Sequence, residues 1–248
     1  MLPVIQNWAQ AFIDPLRVLG LARLPRYLRQ LAKYRAGERR LTVRLRDTYP
    51  RLTDGVRQTP FDPHYFFQGA WLARELAAAR PARHFDVGSS VLMVSTVSAL
   101  VPTVFVDYRP LQVELPGLGC IAGDVCRLPF ADDSVSSLSC LHVIEHVGLG
   151  RYGDPLDPEG SAKAARELAR VLAPGGRLYL SAPVGRARVC FNAHRVFDPR
   201  SLPELLTGLR ATSFSFVDDA GNFHRDREPA AAAANEYGCG MYVLVKDR

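Results

Sequence analysis

Residues 84–90, His84-Phe85-Asp86-Val87-Gly88-Ser89-Ser90, limit what this chain can fold into more than any other stretch. A short apolar run closes on an acidic residue, a glycine and two small residues, and a helical apolar pattern runs on from Val91 to Leu100. That order reads as a buried strand, a tight turn and the start of a helix. Open α/β sheets build their ligand sites from this unit, at the carboxyl ends of the strands. Gly88 lets the backbone pass close to a bound molecule. Ser89 or Ser90 is placed to cap the helix, whose first N–H groups face the same crevice. Alone, the turn is a weak signal; its weight comes from the motifs farther along the chain.

From Arg83 onward strands and helices alternate. Strands are expected near 84–87, 103–107, 118–122, 135–141, 176–182, 212–217 and 240–245, and helices near 90–100, 159–173 and 200–209. Such alternation predicts a mostly parallel sheet covered on both faces. The last two strands, separated by the Ala-rich segment 218–236, are expected to pair antiparallel. A helix from His64 to about Ala79 delivers the chain to the first strand. Its residues His64, Tyr65, Phe66, Phe67 and Trp71 read as core, with an aromatic lid over a ligand as the alternative.

Charge separates this body from the residues before it. The net charge is +6, yet residues 1–46 carry ten Arg and Lys against Asp14 and Glu38, so the remaining 202 residues come out at −2. Residues 1–62 are therefore read as a basic helical extension and linker, and residues 63–248 as the catalytic domain. The extension breaks near Pro15 and Pro25. Leu24, Tyr27, Leu28, Leu31 and Tyr34 fall on one helical face, and Arg23, Arg26, Arg29 and Lys33 occupy much of the other. One reading lays this helix on the body with its basic face in water. The other sets residues 16–46 against an anionic membrane as a peripheral contact. Nucleic acid is not expected, because the aromatics are not interleaved as stacking platforms. Residues 47–62 are turn-rich.

Five cysteines, odd in number and without a C-x-x-C pair, read as free thiols in a reducing cytoplasm. No apolar run reaches the ~18–20 residues of a membrane span. The first residues are apolar before they are charged, the reverse of a secretory signal.

Acidic residues recur at the strand ends. Val104-Phe105-Val106-Asp107 closes on a carboxylate 21 positions after Asp86, where nucleotide-binding sheets hold ribose hydroxyls beside the glycine turn. The third strand ends in Gly123-Asp124-Val125, where a carboxylate can meet an adenine amino group. Leu128-Pro129-Phe130 leads to the fourth strand, which opens into His142-Val143-Ile144-Glu145-His146. Leu172-Ala173-Pro174-Gly175-Gly176 is a helix end followed by a Gly-Gly turn and a new strand.

Together these motifs resemble the class I S-adenosylmethionine-dependent methyltransferases over roughly residues 83–245. More narrowly, His64-Tyr65-Phe66, Gly148-Leu149-Gly150-Arg151-Tyr152-Gly153-Asp154 and Phe191-Asn192-Ala193-His194-Arg195 resemble a bacterial domain-of-unknown-function family associated with surface-polysaccharide synthesis. The resemblance implies a Rossmann-like seven-stranded, mostly parallel sheet, S-adenosyl-L-methionine as cofactor and S-adenosyl-L-homocysteine as product. It implies that Asp86 and Gly88, with Ser89 and Ser90 in the turn, hold the methionine part. Asp107 would hold the ribose, Asp124 and Val125 the adenine, Tyr108 would also contact the cofactor, and His142 would line the pocket near the sulfonium. Ser90 departs from the pattern, standing where the Asp-x-Gly-x-Gly turn has its second glycine. The short segment between Arg109 and Gly117, with two prolines, is expected to replace the second crossover helix by a loop.

Transfer to a hydroxyl needs a base. His146 and Glu145 after the fourth strand and His194 after the fifth are the candidates, with a purely structural carboxylate as the other reading of Glu145. Arg151, Tyr152, Asn192 and Arg195, near Arg186 and Arg188, are expected on the acceptor side, where they would bind a sugar, carboxylate or phosphate. His142-x-x-Glu145-His146 also matches the inverted zinc-protease pattern. That chemistry needs both imidazoles on one helix face, whereas a strand-like run precedes these residues and glycines come after, so no metal is expected. The function expected is methylation of a saccharide or glycan-linked small-molecule acceptor in polysaccharide biosynthesis. The alternative is a catalytically silent cofactor-binding scaffold docked to a membrane-associated glycan assembly.

Overall fold

The computed structural model describes residues 15–247, with side chains from Val18 onward. The expected helical start before Pro15 lies outside the described residues. The chain divides into two compact units between Phe61 and Asp62.

In the first unit, helix α1 (Pro15–Gly20) runs through a single 3-10 turn into α2 (Leu24–Gly37). Pro25 sits in the first turn of α2, where a missing N–H costs nothing. The helix stops at Glu38, whose N–H bonds Tyr34 O at 2.9 Å and whose carboxylate accepts from the N–H groups of Arg40 and Leu41 at 2.7 and 3.1 Å. No residue of α2 is buried, and Leu28 and Tyr34 are 53% and 60% exposed.

The second unit is an eight-stranded sheet. Its strands are β1 (His84–Val87), β2 (Thr103–Asp107), β3 (Leu118–Ala122), β4 (Val135–Leu141), β5 (Leu172–Val184), β8 (Leu209–Val217), β9 (Phe223–His224) and β10 (Gly238–Lys246). They lie in the order β3-β2-β1-β4-β5-β10-β8-β9. The first five run parallel, and β10 inserts antiparallel between β5 and β8. The sequence expectation of seven strands is thus corrected: the short edge strand β9, inside the Ala-rich segment 218–236, makes eight. A separate hairpin, β6 (Arg188–Cys190) with β7 (His194–Val196), was not expected from the sequence.

Side chains alternate across the sheet as the pleat requires. On β5, Leu178, Leu180 and Ala182 join the core beneath α5 (Gly160–Val171), while Tyr179 joins the core beneath α3 (Pro63–Ala79) and α4 (Val91–Val97). On one face Ala164, Ala165, Leu168 and Val171 of α5 pack, and on the other Trp71, Leu72 and Leu76 of α3. Asp62 starts α3 by accepting from the N–H groups of His64 and Tyr65 at 2.9 and 3.3 Å. No helix separates β2 from β3, as Pro110 and Pro116 suggest. The helix expected over 200–209 is one 3-10 turn, Leu202–Leu205.

The chain runs outward from β1 to β2 and β3, then returns to place β4 on the other side of β1. That reversal leaves a crevice at the carboxyl ends of β1 and β4.

Candidate active site

A cavity of about 500 Å³ fills this crevice. Its floor is Val87, Gly88 and Ser89 after β1, with Asp107 and Tyr108 after β2 on one side and Asp124 and Val125 after β3 beyond them. His142, Val143 and His146 after β4 form the opposite wall.

Gly88 has φ +67°, and a Cβ there would stand 3.2 and 3.3 Å from the Val143 methyls, so only glycine closes this turn without strain. The Ser89 hydroxyl accepts from Leu141 N–H at 3.0 Å and ties the turn to the end of β4. Ser90 is the N-cap of α4 but makes no side-chain cap and does not line the cavity, correcting both expectations for it.

Asp86 is also placed differently from the expectation. It is 1% exposed and lies beneath the turn rather than in the cavity wall. One carboxylate oxygen accepts from Ser89 N–H at 3.1 Å and the other from the Ser139 hydroxyl. Burial pushes its pKa up to about 6, against the pull of these hydrogen bonds. His84 lies 2.8 Å from Ser139 Oγ through Nε2 and 2.8 Å from Ser137 Oγ through Nδ1. Burial lowers this imidazole to about 4, so it is neutral. The network then assigns its tautomer: Ser139 donates to Asp86 and must accept from His84 Nε2–H, leaving Nδ1 to accept from Ser137. Asp86 thus supports the turn, with every partner accounted for.

Asp107 and Asp124 do face the cavity. Each gives one oxygen to its own loop, Asp107 to Arg109 N–H at 2.7 Å and Asp124 to Cys126 N–H at 2.8 Å. The second oxygen of Asp107 is 3.9 Å from where a Gly88 Cβ would stand. It makes no hydrogen bond among the described residues, which suits it to accept from a diol.

His142 adopts φ +55°, a conformation non-glycine residues rarely take and one that gathers at functional sites. Its Nδ1 is 2.7 Å from Glu145 Oε1 and its Nε2 is 3.2 Å from Cys239 Sγ. Burial opposes protonation of this ring, but Cys239 and Glu145 outweigh it and raise the pKa well above the usual value. Glu145 itself is fully buried and outside the cavity lining, so it cannot touch an acceptor; this corrects its candidacy as the base. His146 does line the cavity. Its Nδ1 donates to Ala193 O at 2.7 Å, which leaves Nε2 with its lone pair, 3.7 Å from Glu145 Oε1. Burial lowers its pKa, with Arg151 adding to the effect and Glu145 opposing it.

On the acceptor side, Tyr152 lines the cavity mouth, with the guanidinium carbons of Arg109 and Arg151 at 5.0 and 5.1 Å from its ring centre. Arg151 also donates to Ala193 O at 2.9 Å. His194 packs on Tyr237 and exposed Asn192 lies on the β6–β7 hairpin connection; neither lines the cavity. Arg195 is turned inward, 9% exposed, donating to Val147 O at 2.7 Å and Pro158 O at 3.3 Å. It clamps two stretches of the β4–α5 connection together and does not line the cavity. These are corrections to three expected site residues.

Arg109, Asp157 and Lys163 line the cavity and were not singled out from the sequence. The short loop after Asp107 was the only signal for Arg109. Lys163, on α5, pairs with Asp157 at 2.5 Å, and nothing local marks either residue. His142 and His146 both have a ring nitrogen near Glu145 Oε1, at 2.7 and 3.7 Å, but the three do not form a group at metal-ligand spacing among the described residues. The group with metal-ligand spacing among the described residues is instead His64, His142 and Cys239.

Residues 131–226 match the profile of a family described as "Caenorhabditis protein of unknown function, DUF268". That description names no reaction, and it names Caenorhabditis where the sequence resemblance pointed to bacterial polysaccharide synthesis. No curated protein sequence matches the chain. Among solved structures, the chain is similar to a protein from Galdieria sulphuraria assigned as a sarcosine dimethylglycine methyltransferase, at 16% identity over 73% of this chain and 86% of that one, TM-score 0.53. It is similar to the N-methyltransferase NodS from Bradyrhizobium japonicum, solved with S-adenosyl-L-homocysteine, at 12% identity over 75% and 89%, TM-score 0.52. It is also similar to the [4+2]-cyclase SpnF, at 18% identity over 71% and 81%, TM-score 0.50. The fold is thus of the class I methyltransferase type. A cyclase among the likenesses means that the reaction must be argued from the site.

Proposed function

We propose that this chain is an S-adenosylmethionine-dependent methyltransferase acting on a hydroxyl of a saccharide or glycan-linked acceptor. The observation that carries the reading is the cavity at the switch point of the sheet. There a bare glycine turn, the unshared Asp107 oxygen and the Asp124 carboxylate surround one space. Those groups fit an adenosyl ligand: Asp107 for the ribose hydroxyls, Asp124 and Val125 for the adenine edge, and Gly88 for close approach of the amino-acid tail. The bound cofactor supplies a sulfonium methyl group for transfer.

His146 is the base in this reading. Its Nδ1–H is committed to Ala193, so Nε2 would take the O–H proton of the acceptor and leave the hydroxyl oxygen nucleophilic. Glu145, 3.7 Å from Nε2, stabilises the resulting imidazolium without leaving its buried position. Arg109 and Arg151 form no ion pair among the described residues and flank Tyr152 at the mouth, which favours an acceptor carrying a phosphate or carboxylate. The same reading keeps the protein in the cytoplasm, with residues 16–46 in peripheral contact with an anionic membrane. No helix among the described residues is long and apolar enough to cross one. Exposed Leu24 and Leu28 beside Arg23, Arg26 and Arg29 support that contact.

Calorimetry with S-adenosylmethionine and S-adenosylhomocysteine tests the reading. Binding is expected, and Asp107→Ala should weaken it at least ~10-fold, which is about 1.4 kcal/mol. Absence of binding to either compound overturns the proposal. Binding without turnover on any phosphorylated or uronate-bearing glycan would favour the silent scaffold.

A further inference from the structure

Beside the cavity, three metal-ligating side chains meet from distant parts of the sequence. His64 stands in the first turn of α3, His142 at the tip of β4 and Cys239 in β10, and one ligand atom from each lies within 4.8 Å of the others. We propose that His64, His142 Nε2 and the Cys239 sulfur bind a divalent cation of the zinc class, with water in the fourth position.

Four features carry this beyond proximity. Two imidazoles and a thiolate form a donor set that selects zinc and its neighbours over magnesium or calcium. Glu145 Oε1, 2.7 Å from His142 Nδ1, takes the Nδ1–H and fixes the tautomer that turns Nε2 to the ion. This carboxylate–histidine arrangement commonly supports metal ligands. The spacing is close to that required: bonds of about 2.3 Å to sulfur and 2.0–2.1 Å to nitrogen put the two atoms about 3.5 Å apart in a tetrahedral site, against 3.2 Å between His142 Nε2 and Cys239 Sγ. Finally, Glu145 Oε2 is buried without a hydrogen-bond partner. Dication, thiolate and that carboxylate sum to zero charge, so the ion offsets a buried anion that the protein leaves partly unpaired.

Cys239 is fully buried and His142 nearly so, and His64 is the more open side through which an ion enters. On binding, the single proton shared between Cys239 Sγ and His142 Nε2 leaves to solvent, freeing a thiolate and a nitrogen lone pair for the ion, while Nδ1–H stays on Glu145. The ion would tie the start of α3 and β10 to the tip of β4, fixing the His142 ring in the cavity wall. This inference does not depend on methyl transfer, and its readouts involve no cofactor.

The test uses tag-free, full-length protein loaded with zinc and dialysed. Elemental analysis by mass spectrometry should find about one zinc per chain. Cobalt(II) in its place should give a near-ultraviolet thiolate-to-cobalt band. Cys239→Ser should abolish the band, and His64→Ala should cut retained zinc at least ~10-fold while leaving the circular dichroism spectrum unchanged. Because His64 is partly exposed, that variant keeps the test valid if Cys239→Ser fails to fold. A chain that keeps no zinc and gives no cobalt band overturns the site. So does equal zinc retention by wild type and both variants, which would mark adventitious metal.

Discussion

His84 and Ser139 meet at 2.8 Å beneath the glycine turn, and that bond sets the direction of every proton in the network on Asp86. Ser139→Ala breaks the chain in the middle. Asp86 would keep only Ser89 as a partner, and His84 would lose the acceptor for Nε2–H. An unsatisfied buried group costs about 1–3 kcal/mol. A urea-unfolding midpoint unchanged from wild type would refute this reading of the network.

Asp86→Asn should behave in the opposite way. The amide can donate to Ser139, Ser139 to His84 Nε2 and His84 Nδ1–H to Ser137, so a tautomer change satisfies all four residues. In the wild type the folded-state pKa of Asp86 is raised from 3.8 to about 6. Between those values the folded protein binds more protons than the unfolded chain, so this group's contribution to stability falls as pH rises through the window and is flat above it. The amide lacks that penalty. The stability of Asp86→Asn relative to wild type should therefore grow between about pH 4 and pH 6, reaching roughly 3 kcal/mol. Urea titrations across the range check it; a difference independent of pH would count against a raised Asp86.

His146 offers a kinetic counterpart. Its replacement by Gln should cut turnover ~10²–10⁴-fold while leaving cofactor affinity intact. Burial lowers this imidazole below 6.5, and Arg151 contributes. The base therefore stays unprotonated until pH falls below the ordinary histidine value, and the acid limb of kcat/KM should have its midpoint under 6.5. In Arg151→Ala the midpoint should move upward. An acid limb that ignores Arg151 would remove His146 from the proposed role.

Gly88→Ala probes the turn itself. Left-handed backbone costs a residue with a Cβ about 1–2 kcal/mol, and this Cβ would press on the Val143 methyls at 3.2 and 3.3 Å. Loss of S-adenosylhomocysteine binding should exceed the loss of stability, because the displaced Val143 forms the opposite cavity wall. Calorimetry beside thermal unfolding separates the two.

Much of this architecture is legible locally. The bounds of β1 to β4 come from short apolar runs closed by Gly, Asp or Pro, and the strand-tip carboxylates Asp107 and Asp124 come from those bounds. Where the reading failed, a distant contact decided. The apolar pattern over 200–209 suggests a helix, yet Leu206 leaves the helical region at φ −102°, ψ 61° and Gly208 turns to φ +82°. Asp86 looks like a ligand residue until Ser139 from β4 is placed beside it. The grouping of His64, His142 and Cys239 spans most of the chain and has no local spacing to announce it. Nor does sequence distinguish an arginine aimed at an acceptor from one folded back on carbonyls.

Arg195 is that second kind. Its guanidinium donates to Val147 O at 2.7 Å and Pro158 O at 3.3 Å, with Glu145 O and Asp157 O each at 3.5 Å. One planar fork thus holds the two ends of the β4–α5 connection together, and residues of both ends line the cavity. Burial lowers its pKa, yet a guanidinium stays charged at any working pH, so the clamp persists. Lysine presents a single point charge and cannot span carbonyls set so far apart. Arg195→Lys should therefore lose most of what Arg195→Ala loses, about 2–3 kcal/mol by hydrogen bonds from a charged donor. If Arg195 instead gripped the acceptor, both variants would raise KM while the urea midpoint stayed put. Measuring both quantities on both variants decides between clamp and ligand.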